Sequence, residues 1–106
     1  MFDREKVLKI YRVPGPVLDE LLVEYVAQAD EKIAAIESAL AGGDMMAASL
    51  AVHTLKGVSG NLRVDDCHEA AIAFEKALKA GNVEEASGYV AAMKSSVAEV
   101  KSVIGK

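Results

Sequence analysis

The strongest constraint in this sequence is a rhythm near its end. Val83, Ala86, Val90, Met93, Val97, Val100 and Ile104 recur at strictly alternating intervals of three and four. Only an α-helix gathers residues at that spacing into one stripe. A strand would alternate in twos. A stripe of this length must be covered, so the rest of the chain has to supply partners for it.

The same spacing recurs upstream. Leu18, Leu22, Tyr25, Ala29, Ile36 and Leu40, with Ile33 beside them, predict a helix from Pro16 to about Ala41. Val13-Pro14-Gly15-Pro16 separates it from a short charged helix, Asp3 to about Tyr11, because the residue before a proline avoids helical geometry. Gly42-Gly43 ends the long helix, and Asp44 suits the N-cap of the next. A third helix is expected from about Met45 to Leu62. A fourth begins after Asp65 or Asp66, where Asp66 and Glu69 have the spacing of a capping box. Its stripe is Cys67, Ala70, Ala71, Phe74 and Leu78. Gly81-Asn82 then turns the chain, and Asn82 with Glu85 repeats the capping pattern. Long helices joined by short turns alternate in direction. The expected fold is all-α: an up-down-up-down four-helix bundle with a short additional N-terminal helix, in one domain over residues 1–106.

Composition narrows the function. The 106 residues are 52% hydrophobic and 26% charged, enough for a core without disulfides or metal. The net charge is −4 and no Lys/Arg cluster interrupts the pattern, which argues against nucleic acid as a partner. The lone Cys67 cannot form an intramolecular bridge and fits a reducing compartment. No apolar run approaches the ~20 residues needed to span a bilayer. The N-terminus is charged from Asp3 onward, unlike a secretory leader. These features set the expectation of a free-standing cytoplasmic monomer with no membrane contact.

The third helix carries the chemistry. At about 100° per residue, Ala48, Ala51, Leu55, Val58 and Leu62 form its buried stripe. His53 falls almost opposite. Ser49, Leu50, Lys56 and Gly57 lie one turn from it, with Met46 and Gly60 one turn further. A glycine inside a helix costs about 1 kcal/mol relative to alanine. Two of them on the His53 face read as an open lane by which something large approaches the ring. Lys56, at i+3, can reach a charge held there. An exposed imidazole, an ammonium and cleared space describe a phosphorylation site. Across the turn near Val64, His53 and Glu75 each stand 11 residues away. They should lie at the same height, where the Glu75 carboxylate accepts a hydrogen bond from one ring nitrogen, Nδ1, and leaves Nε2 as nucleophile.

The stretch AVHTLKGVSGNL, Ala51 to Leu62, closely resembles the signature of histidine-containing phosphotransfer (HPt) domains, which centres on H-x-L-K-G. The flanking stretches LLVEYVAQADEKIAAIESALAGGD and EAAIAFEKALKAGN resemble the family's neighbouring helices, so the likeness covers roughly Leu18 to Met93. It implies that His53 accepts the phosphoryl group, that Lys56 stands near that group, and that Gly57 leaves it room. Glu75 matches a Gln or Glu that hydrogen-bonds the ring. One departure is Arg63, where members often have glycine after the motif's leucine; it bears on local turn geometry or partner preference.

The resemblance implies a phosphoryl carrier in a two-component phosphorelay. Its partners are a response-regulator receiver domain and a histidine kinase or hybrid kinase. The chain itself binds no cofactor, and Mg²⁺ belongs to the receiver domain. No G-x-x-x-x-G-K-[ST] or G-x-G-x-x-G occurs, so no autonomous kinase activity is expected. Met46, Ser49 and Leu50 form the expected docking surface around His53. His68 reads as ordinary surface, and its i, i+3 spacing with Asp65 is too little for a metal site. Two rival readings stand beside the carrier. One is an HPt-like interaction module that binds and inhibits a kinase or receiver domain without carrying phosphate. The other is a purely structural bundle, self-associated through Met46 and Leu50.

Overall fold

The computed structural model describes residues 2–104; the ends of the expected 1–106 domain lie outside these. Six helical segments follow one another: α1 (Arg4–Tyr11), α2 (Gly15–Gly42), α3 (Met45–Asn61), α4 (Asp65–Lys79), α5 (Val83–Gly88) and α6 (Val90–Val103). α2 packs on α3 and α6, and α4 packs on α3, α5 and α6, so the long helices close into a bundle. Its extents are 43 × 19 × 18 Å. The all-α bundle with an extra N-terminal helix is therefore what the chain adopts.

The α2–α3, α3–α4 and α4–α5 connections use one device. Asp44 N–H donates to the Ala39 carbonyl at 2.8 Å, Val64 N–H to Ser59 at 2.9 Å, and Asn82 N–H to Ala77 at 2.9 Å. Each bond spans five residues and closes around one residue of positive φ: Gly43 at 72°, Arg63 at 57° and Gly81 at 80°. This Schellman arrangement satisfies carbonyls that a helix end leaves orphaned. Glycine adopts it freely. Arg63 does so at a cost of about 1–2 kcal/mol. Asp44 then caps α3, accepting from Ala47 N–H at 3.1 Å, as its position before the helix suggests.

The core contains the expected stripes. Leu18, Leu22, Tyr25, Ala29, Ile33 and Ile36 of α2 are buried, as are Cys67, Ala70, Ala71 and Phe74 of α4. So are Ala86, Val90, Met93, Val97 and Val100. Many of these residues are alanine, which lets helix axes approach closely. α1 covers one end of the bundle through buried Val7, and the Arg4 guanidinium bonds the Asp19 carboxylate at 2.9 and 3.0 Å.

Three local expectations need correction. The last helix is not continuous: it breaks at Tyr89, whose N–H bonds Ala86 at 3.0 Å in a tighter i−3 pattern, directly after the poor helix former Gly88. Asp66 does not cap α4; the N-cap is Val64, which offers no side-chain bond. The α3 stripe is rotated, with Val52 and Ser59 buried and Val58 and Leu62 only half-buried. Ser59 tolerates burial because its hydroxyl meets the Tyr25 hydroxyl at 2.8 Å. Burial, with Cys67 close by, pushes the Tyr25 phenol well above its ordinary value. Among the described residues, no helix is long and apolar enough to cross a membrane.

Candidate functional site

His53 projects from the outer face of α3, midway along the bundle. Its side chain keeps 71% of its surface exposed. Among the described residues the ring's partner lies on the neighbouring helix: Nδ1 stands 3.4 Å from Glu75 Oε2. That is beyond an ordinary hydrogen bond, yet close enough for strong attraction once the ring carries positive charge. The antiparallel α3–α4 turn brings the two to one height, as the equal count from Val64 requires.

Glu75 is shared. Its other oxygen, Oε1, accepts from Lys56 Nζ at 2.8 Å. The carboxylate is only 13% exposed, so this is a charge-assisted bond at the edge of the core. The Lys56 hydrogen bond holds the Glu75 carboxyl below the usual carboxylate range; partial burial opposes this, and Lys79 and His53 add to the lowering. Lys56, expected to reach for charge on the ring, is thus already held, one carboxylate away from it.

The two glycines part company. A Cβ at Gly57 would meet nothing within 4 Å, so this residue does leave open space beside His53. A Cβ at Gly60 would lie 3.0 Å from Cε1 and Nδ1 of His68. The space at Gly60 is already filled from α4, which corrects the expectation that it keeps the approach to His53 clear. His68 is not ordinary surface either: its Nδ1 lies 2.9 Å from the Lys56 carbonyl oxygen. A signal for this was present, since Gly60 and His68 each stand four residues from Val64.

Exposed apolar side chains flank the ring on its N-terminal side, away from the α3–α4 turn. Met46 is 76% and Leu50 68% exposed, far more than the core tolerates. Met46 and Ser49 line an open groove between α3 and α4 with Met45, Leu78 and Lys79. Among the described residues, no three metal-ligating side chains gather in one place.

The sequence profile of the Hpt domain matches residues 20–103 of this chain. The chain belongs to the Hpt domain family. These domains serve phosphotransfer in two-component signalling and interact with kinases and receiver domains. No curated protein and no solved structure gives a match. In this Hpt domain α3 contributes the histidine, the lysine and the open glycine, and α4 contributes the carboxylate that joins them.

Proposed function

We propose that this Hpt domain is a phosphoryl carrier of a phosphorelay. His53 takes a phosphoryl group from the aspartyl phosphate of a response-regulator receiver domain, or from a histidine kinase, and passes it to another receiver aspartate. The observation that carries this reading is the exposed His53 ring whose inner nitrogen faces a carboxylate kept ionised by Lys56.

The chemistry follows from that chain of contacts. An ionised Glu75 only accepts hydrogen bonds, so it favours the proton on Nδ1. The Nε2 lone pair is then free, on a ring that keeps 71% of its surface exposed. Nε2 forms the new bond to phosphorus while the bond from phosphorus to the receiver's aspartyl oxygen breaks. The electron pair leaves with that carboxylate. The ring becomes a phosphoimidazolium, and Glu75 offsets its charge. Lys56 has three N–H donors, so it can keep Glu75 and offer another to a phosphoryl oxygen. The receiver supplies Mg²⁺ and the acidic pocket, and the gap at Gly57 admits them. Met46, Ser49 and Leu50 form the docking rim.

The test mixes the purified chain with a phosphorylated receiver domain and Mg²⁺, beside His53→Gln. Acid-labile, base-stable phosphate is expected on the wild type and not on the variant. Receiver binding without phosphate would instead indicate an inhibitory interaction module, a role within the chain's cytoplasmic signalling setting that does not need His53.

A further inference from the structure

We infer that His68 is a positioning residue for the phosphoacceptor site. This rests on the carrier reading above for its functional consequence, but its structural basis is separate. A carbonyl oxygen only accepts, so the 2.9 Å contact between His68 Nδ1 and the Lys56 carbonyl requires the ring proton on Nδ1. That carbonyl already serves the α-helix, where residue 60 donates to it by the i−4 rule. The second lone pair faces outward, beside the position where a side chain on residue 60 would begin. Because residue 60 is glycine, the ring can lie against the helix and reach it.

His68 and Glu75 are seven residues apart on α4, two turns along the same face. Both end on Lys56. His68 holds its backbone carbonyl, and Glu75 holds its ammonium at 2.8 Å. The lysine of the site is therefore gripped at both ends by one helix. α3 cannot rotate or slide against α4 without breaking one of these bonds. The same grip sets the 3.4 Å approach of His53 to Glu75, because His53 lies one turn from Lys56 on α3. Gly60 belongs to this device rather than to the approach path.

The test compares wild type, His68→Ala and His68→Asn. The asparagine amide donates from nearly the same position as Nδ1. In the wild type, long-range ¹H–¹⁵N ring spectra are expected to show neutral His68 protonated on Nδ1. His68→Ala is expected to shift the His53 ring signals with no partner present, and His68→Asn to return them. Phosphotransfer at saturating receiver should slow about tenfold in His68→Ala at unchanged half-saturation, and recover in His68→Asn. A His68 proton on Nε2, or His53 signals unmoved by His68→Ala, would overturn the inference. So would an asparagine variant as slow as the alanine one. If His68→Ala does not fold, Gly60→Ala, which crowds the ring off its carbonyl, is read in its place: shifted His53 signals and slower transfer are expected, and unmoved signals would overturn the inference. If the wild type accepts no phosphate, the carrier reading fails and the spectra alone decide the role of His68.

Discussion

His53 and His68 sit on facing helices and are tied to the same stretch of α3, yet they are set up for opposite tasks. Each ring turns Nδ1 toward a group that only accepts: a carboxylate for His53, a backbone carbonyl for His68. The difference lies in the rest of the ring. His53 stands beside the open space of Gly57, whereas His68 is half-buried against Gly60. The same residue type becomes a reactive group or a brace according to what the neighbouring helix offers and what space the nearest glycine leaves.

Filling the open glycine should separate the two rings most strongly. Gly57→Leu is expected to slow phosphotransfer between tenfold and a hundredfold, since a bulky group now meets the docking receiver. The same change should raise stability by about 0.5–1 kcal/mol, because leucine is the better helix former and its Cβ meets nothing within 4 Å. Thermal unfolding and transfer kinetics on one sample check both halves; a transfer rate equal to wild type would remove the open-approach argument.

Filling the other glycine should act through His68. Gly60→Ala gains helix propensity but presses on the ring at 3.0 Å. In a His68→Ala background the pressure is gone, and Gly60→Ala should become stabilising. A double-mutant cycle is expected to give a coupling of about 1 kcal/mol, and additivity would show that the two do not interact.

Acid tests the shared carboxylate. Glu75 is depressed below its ordinary value of 4.5, so its pairing stabilises the fold fully above that value. The contribution is lost as pH falls through the depressed value. Glu75→Gln should cost roughly 0.5–1 kcal/mol near neutrality. The gap from wild type should close in acid, measured by denaturant midpoints across pH.

The smallest effect belongs to the turn beneath the site. Arg63→Gly is expected to stabilise by roughly 0.5 kcal/mol, the relief of left-handed strain less the added freedom of the unfolded chain. Its midpoint in urea checks this.

Much of the bundle was legible because helix period and helix ends are local properties. The alternation from Val83 to Ile104, Gly43 with Asp44, and Gly81 with Asn82 each announce themselves within a few residues. His53, Lys56 and Gly57 are legible for the same reason, being neighbours on one helix. Glu75 needed one step more, a count across the turn. The missed features depend on what a second helix brings. A wheel drawn for α3 alone shows Gly60 on the outer face but not the ring that covers it. It also leaves Val52 and Ser59 at the stripe's edge, whereas Tyr25 of α2 gives Ser59 a buried partner. The break at Tyr89 leaves the apolar rhythm intact on both sides, so periodicity could not reveal it.

In the proposed mechanism Glu75 fixes the His53 ring so that Nε2 is the nucleophile. The direct measurement is a ¹⁵N–³¹P correlation spectrum of the uniformly ¹⁵N-labelled chain after phosphorylation by a receiver domain. The predicted result is phosphorus bonded to Nε2 of His53, with a proton on Nδ1. Phosphorus on Nδ1, or on His68, would contradict it.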